Sequence, residues 1–193
     1  MDNIFRGKLI RLVTEDPEPA SQALARWARD TEYNRLLDSY PSRLWSAKKI
    51  QSWIERDFET GYRDGYFFEI RTLEQDRLIG YTNLFGLSWN HGDTWLGIGI
   101  GERDAWGKGY GTDAVRVMLR YVFTELNLRR VTLGVFAYNP RAIRAYEKAG
   151  FKQEGRLRQY LLRDSQRHDI LIMGALGEEW LSEQEASVER SSL

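Results

Sequence analysis

Apolar positions along the chain follow two periods, and each period names an element. Val115, Met118, Leu119 and Val122 fall at i, i+3, i+4 and i+7, which predicts an amphipathic helix over residues 112–125. Leu24, Trp27 and Ala28 share one face of a helix opened by Pro17-Glu18-Pro19. Ile50, Trp53 and Ile54 share a face of another that opens near Ser46. Asn139-Pro140 predicts a further helix start, with Asn as cap and Pro in the first turn, and Ala149-Gly150 predicts its stop. Shorter apolar runs predict strands at 8–13, 66–72, 77–85, 94–100, 130–135, 152–163 and 169–176. Glu74-Gln75-Asp76 and Asp164-Ser165-Gln166 join two pairs of them as hairpins. A polar helix is expected over 178–185, and residues 186–193 read as a frayed tail. No repeat, linker or low-complexity block interrupts the plan. One domain over residues 1–185 is expected, of α/β class, with a mixed, mostly antiparallel twisted sheet flanked by helices.

Between the strand ending at Ile100 and the helix that follows lies Trp106-Gly107-Lys108-Gly109-Tyr110-Gly111-Thr112. Glycines at alternate positions allow positive φ and remove Cβ atoms, so successive N–H groups can converge on an anion. The helix N-terminus adds its partial positive charge, and the ligand expected there is a pyrophosphate. The common nucleotide motifs do not fit. Lys108 is followed by Gly109 rather than Ser or Thr, and a dinucleotide fingerprint needs glycine where Thr112 stands. Just upstream, Gly97, Gly99 and Gly101 fall on one face of a strand. Such a face packs nothing unless a ligand, another chain or a closely crossing helix lies against it.

Composition narrows the chemistry. Lysine plus arginine and aspartate plus glutamate both count 28, so no net field draws the protein to nucleic acid or an anionic membrane. Cysteine is absent and His91 and His168 are the two histidines, which excludes disulfides, thiolate sites and a cysteine nucleophile; no metal site is expected. The amino terminus has no apolar run of signal-peptide length and the longest apolar run, residues 170–176, is too short to span a bilayer. A cytoplasmic protein without a membrane partner is expected.

The glycine turn and a second block, Asn139-Pro140-Arg141-Ala142-Ile143-Arg144-Ala145-Tyr146-Glu147-Lys148-Ala149-Gly150-Phe151, stand in the order strand, turn, helix, strand, helix. In this they resemble the GNAT superfamily of acetyl-CoA-dependent N-acetyltransferases, within it the branch of ribosomal-protein N-terminal (alanine/serine) and spermidine acetyltransferases. The family's turn, Gln/Arg-x-x-Gly-x-Gly/Ala, lands on residues 106–111, with Trp106 departing at the first position. The resemblance implies a sheet that splays at an acetyl-CoA site. The backbone of Trp106, Gly107, Lys108, Gly109, Tyr110, Gly111 and Thr112 would hold the pyrophosphate. The strand carrying Ile98 and Ile100 would pair with the pantetheine arm, a free N–H near Ile100 polarising the thioester carbonyl. It favours a ligand on the glycine face. Asn139 would bond the pantetheine amide as well as cap its helix, and Tyr146 would protonate the departing thiolate. Spacing alone makes Tyr146, on the face of Ile143, a core tyrosine.

The acceptor is less legible. An α-amine with pKa near ~8 is about a tenth neutral at pH 7, whereas a lysine amine is less than ~0.1% so, and an α-amine barely needs a base. Glu102, at the mouth of the turn, is the best placed carboxylate; Glu69 and the pair His168-Asp169 are weaker candidates. Arg156, Arg158, Arg163 and Arg167 cluster around the last hairpin. Trp27, Tyr33, Tyr40, Trp45 and Trp53 make the early helices aromatic, where the family builds substrate recognition, though packing explains most of them. The expected activity is direct transfer of acetyl from acetyl-CoA to a primary amine, foremost a protein or peptide N-terminal α-amine. A polyamine acceptor, or a silent acyl-CoA-binding regulator, is the alternative. A homodimer is left open.

Overall fold

The computed structural model describes residues 3–60 and 66–191. Its strands are β1 (Ile10–Thr14), β2 (Phe67–Thr72), β3 (Leu78–Ser88), β4 (Asp93–Ile100), β5 (Arg130–Phe136), β6 (Lys152–Arg163) and β7 (Gln166–Leu176). Its α-helices are α1 (Pro17–Trp27), α2 (Thr31–Leu37), α3 (Ala47–Glu59), α4 (Tyr110–Thr124), α5 (Pro140–Glu147) and α6 (Gly177–Ser191), with a 3₁₀ turn at Arg103–Ala105. The strands form a seven-stranded sheet in the order β1-β2-β3-β4-β5-β7-β6. Pairing is antiparallel at β1–β2, β2–β3, β5–β7 and β6–β7 and parallel at β4–β5. The parallel ladder is short, joining Asp93, Trp95 and the residue between them to Arg130–Thr132. The mixed, mostly antiparallel α/β class is as expected. Among the described residues no helix is long and apolar enough to cross a membrane.

Two compact units divide the chain, Met1–Leu84 with Gly97–Ala114, and Phe85–Leu96 with Val115–Leu193. In the first, α1 and α3 pack through Ala20, Ile50 and Ile54, while Ala23, Trp27 and Tyr33 form a neighbouring core with Leu37, Tyr81 and Trp106 against it. Asp113, 7% exposed, accepts the N–H groups of Lys8, Leu9 and Ile10, which fixes the entry to β1. In the second unit, β5 and β7 pair along their full length, from Arg130 opposite Leu176 to Phe136 opposite Ile170. Val131, Leu133, Leu171, Met173 and Phe151 are buried there, as are Met118, Leu119 and Val122 of the predicted helical stripe. The β6–β7 hairpin closes on Asp164 and Ser165, both at positive φ (49° and 61°), the turn whose twist suits a two-residue hairpin.

Two local readings change. Helix α2 was not foreseen: it carries no apolar period, although Asp30 caps it by accepting from the N–H groups of Glu32 and Tyr33. Helix α6 runs to Ser191, past the helical end expected at Glu185, and Glu183, Gln184, Glu185 and Ala186 are good helix formers with no Gly or Pro among them. Ser192 and Leu193 lie outside the described residues. On β6 the register is irregular between Leu157 and Leu161, and Arg156 pairs with Asp169 at 2.9 Å.

Candidate active site

The anion turn is built from backbone geometry in the first unit. Gly107 and Gly109 take φ of +76° and +90°, values that a Cβ penalises. Gly111 does not: it lies in the first turn of α4, where glycine is required by neither φ nor crowding, the nearest atom to an added Cβ being Ile100 Cγ1 at 3.7 Å. Among the described residues no N–H from Gly107 to Thr112 donates to an acceptor, whereas Trp106 N–H bonds Arg103 O and Asp113 N–H bonds Gly109 O. A continuous row of open donors at a helix N-terminus suits a pyrophosphate in charge and in hydrogen-bonding capacity. Trp106 holds the turn to the strand before it, its indole Nε1–H donating to Ile100 O at 2.7 Å, and the Arg103 guanidinium lies 4.9 Å from the centre of its ring. The departure at position 106 therefore has a structural role of its own.

The glycine face of β4 is covered by the protein. A Cβ on Gly101 would stand 2.0 Å from the Trp27 ring, and one on Gly99 would stand 2.9 Å from both Leu37 Cδ1 and the Tyr33 hydroxyl. The glycines are there because α1 and α2 cross closely, so the expectation of a ligand on that face is corrected; residues 27, 33 and 37 are too distant in sequence for local pattern to reveal this. Ile98 and Ile100 occupy the alternate positions and are half-buried.

Glu102 is gripped by three donors. Its carboxylate accepts from Trp27 Nε1 and Arg77 NH2, each at 2.8 Å, and from the Arg26 guanidinium. Burial pushes its pKa up, but the bonds from Trp27, Arg26 and Arg77 outweigh burial and hold it below the usual carboxylate range. A carboxylate so held is a weak base. Arg77 also grips Asp104, and Arg103 pairs with Asp30 and Glu32, so these carboxylates tie α1, α2 and β3 to the segment leading into the turn. Sequence reading missed this network; its only local trace is the run Glu102-Arg103-Asp104. The weaker base candidates are engaged too. Glu69, 2% exposed, accepts from Arg71 and Asp16 N–H. Asp169 takes Gln159 N–H and Arg156, which lower its pKa, and the His168 ring meets Tyr138 edge-on at 4.9 Å.

In the second unit, Asn139 is 7% exposed and caps α5, its Oδ1 accepting Ala142 N–H at 3.1 Å; the cap employs only the oxygen of the amide. Tyr146, 9% exposed, is fixed from both sides. Its carbonyl accepts Phe151 N–H at 3.0 Å while Gly150 N–H reaches Glu147 O, the helix-ending pattern that needs glycine at φ +106°. Its ring lies 6.0 Å from that of Phe151. Burial pushes the Tyr146 phenol up to about 12, with no hydrogen bond contributing. The hydroxyl keeps its proton at neutral pH.

The chain matches the Acetyltransferase (GNAT) domain over residues 9–152, a span that includes both the turn and Tyr146. The chain belongs to the GNAT acetyltransferase family. Among relatives of this GNAT protein, a Bacillus subtilis protein assigned provisionally as a ribosomal N-acetyltransferase, YdaF, is 30% identical over 162 residues, covering 84% of this chain and 82% of that one. The spermidine N(1)-acetyltransferase of Vibrio cholerae is 32% identical over 111 residues, covering 58% of this chain and 64% of its own length. The crystal structure of spermidine N-acetyltransferase from Vibrio cholerae in complex with CoA and spermine shares the fold, with a TM-score of 0.73 at 23% identity, over 89% of this chain and 98% of that one. The GNAT family binds acetyl-CoA, and the protein is an N-acetyltransferase of that family.

Proposed function

We propose that this GNAT protein transfers acetyl directly from acetyl-CoA to a primary amine, foremost the α-amine at a protein or peptide N-terminus. The row of open N–H groups from Gly107 to Thr112 carries the reading, since it suits the pyrophosphate of the donor. Bound acetyl-CoA supplies a thioester whose acyl carbon an amine can attack. Ile98 and Ile100 would hold the pantetheine arm through their backbone, and Asn139 would donate to its amide through Nδ2. Tyr146 would direct its hydroxyl at the sulfur. With a pKa of about 12 it is fully protonated in use. Complete transfer to a thiolate of pKa ~8.5 would be uphill, so the phenol acts mainly as a hydrogen-bond donor to the developing charge. Proton balance needs no separate store, because the amine loses one proton for each thiol formed.

The donors on Glu102 support an acceptor that needs little help from a base. Held below the usual carboxylate range, Glu102 is a weak base, which favours an amine already partly neutral. A polyamine is the second reading, supported by the Vibrio cholerae relative. Thiol release from acetyl-CoA tests both, with peptides bearing free amino-terminal alanine or serine beside spermidine. A higher kcat/KM for the peptides is expected; the reverse ranking would select the polyamine, and no release with any amine would leave an acyl-CoA-binding protein without turnover.

A further inference from the structure

Trp106 joins the two segments assigned above to the acyl donor. Its backbone leads directly into the turn at Gly107, and its indole reaches back to the last residue of β4, Nε1–H donating to Ile100 O at 2.7 Å. Along a strand, the N–H and C=O of one residue point to the same edge and those of the next residue to the other. Gly101 N–H donates to Ile79 O of β3 at 2.8 Å, and Gly99 O lies against Gly80 of the same strand. Ile100 therefore turns both of its polar groups to the edge away from β3. The indole holds the carbonyl, and the N–H stands at the same edge for a donor lying along β4. Because the peptide from Ile100 to Gly101 is planar, the bonds from Trp106 to its oxygen and from its N–H to Ile79 O fix its orientation from both edges. The ring is itself held. The Arg103 guanidinium lies 4.9 Å from its centre, and Arg103 is clamped by Asp30 and Glu32, with NH2–Oδ1 and NH1–Oε2 distances of 2.7 Å each. Phenylalanine would also supply an apolar ring to pack against the core of Ala23, Trp27 and Tyr33; the N–H is what tryptophan adds.

We propose that Trp106 is a positioning residue for the transfer step: its indole N–H sets the Ile100 peptide, and with it the Ile100 N–H, in register with the pyrophosphate turn that begins one residue later. The two ends of the donor are then held to one frame, the pyrophosphate by the turn and the acyl carbonyl by Ile100 N–H. Negative charge builds on the acyl oxygen as the amine attacks. A slightly misplaced donor loses much of its effect on that charge while the ground-state ligand still binds. The role therefore lies in turnover rather than affinity. It rests on the proposed function, which gives β4 to the acyl donor.

Two variants test it, each assayed well below its unfolding temperature. Trp106→Phe keeps the ring and removes the donor, whereas Trp106→Gln gives up the ring and keeps an N–H that can reach a carbonyl. With an amino-terminal alanine peptide, Trp106→Phe should lower kcat about tenfold while the Kd for CoA stays within about twofold of the parent, and Trp106→Gln should retain more kcat than Trp106→Phe. A second readout needs no amine. The infrared stretch of acetyl-CoA isotope-labelled at its acetyl carbonyl should move to lower frequency on binding the parent, and should move less on binding Trp106→Phe. A parent-like kcat in Trp106→Phe, or an undiminished shift, would show that the indole N–H is idle. An equal loss of CoA affinity would make Trp106 a prop for the turn, and a lower kcat in Trp106→Gln than in Trp106→Phe would assign the effect to the ring; each of these overturns the proposal. A parent that leaves the stretch unmoved overturns both this and the assignment of β4 to the donor, and is told apart because the deficit precedes any substitution.

Discussion

Residues 107–112 and helix α5 divide the proposed chemistry between main chain and side chain. In the turn the working atoms are backbone N–H groups, and sequence enters only through the positive φ at Gly107 and Gly109. In α5 the working atom is one phenol oxygen, placed by a buried ring, a glycine-terminated helix and Phe151. The turn can therefore tolerate change at most of its side chains, as Trp106 illustrates, while α5 offers no substitute for the hydroxyl of Tyr146. A backbone site is robust and a side-chain site is not.

The largest effect that would sharpen this contrast is expected from Tyr146→Phe. It keeps the ring and removes the donor, so kcat should drop by about 10²–10⁴ with KM for acetyl-CoA nearly unchanged. Steady-state kinetics on a peptide substrate would measure it, and a parent-like kcat would return Tyr146 to the core. Next in size is the response of the fold to its donor. Acetyl-CoA at about 100 times its dissociation constant should stabilise the protein by about 2.7 kcal/mol, and ATP or NAD at the same concentration should not. Thermal unfolding with each ligand decides that.

An effect of similar size belongs to α5 alone and needs no ligand. The folded pKa of Tyr146, about 12, stands above the unfolded value of ~10. The neutral phenol is favoured in the fold, so its contribution is fully present below pH ~10 and is lost as pH rises through ~12, about 3 kcal/mol in all. Tyr33 shifts in the same direction, so the quantity to read is the difference between parent and Tyr146→Phe in urea unfolding at pH ~9 and ~12. The parent should lose more; equal losses would contradict the buried, unpaired phenol. The smallest effect tests the turn. Gly109→Val should raise the Kd for CoA about tenfold, since valine resists φ of +90°, with the circular dichroism spectrum retained. Gly111→Ala, without a φ penalty, should bind more nearly as the parent does. Equal affinities in equilibrium titration would reduce the turn to a connection.

Legibility followed the range of the interactions. Helices α1, α3, α4 and α5 and every strand were readable because their apolar periods are local, although boundaries moved by up to a few residues, as at β1. Helix α2 escaped because seven residues with Tyr33 as the one buried side chain carry no period. The turn and Tyr146 were legible as motifs. The cover over Gly99 and Gly101 and the donors on Glu102 were not, because Trp27, Tyr33, Arg26 and Arg77 reach those positions only through tertiary packing.

The row of open donors also has a signature in hydrogen–deuterium exchange. An amide without an intramolecular acceptor has no opening reaction to wait for, and it exchanges at close to the rate of an exposed peptide. Trp106 N–H, bonded to Arg103 O, and Asp113 N–H, bonded to Gly109 O, bracket the stretch. Deuterium should thus enter from Gly107 to Thr112 ahead of both flanks, so that labelling of the empty protein outlines the anion-binding segment before any nucleotide is added.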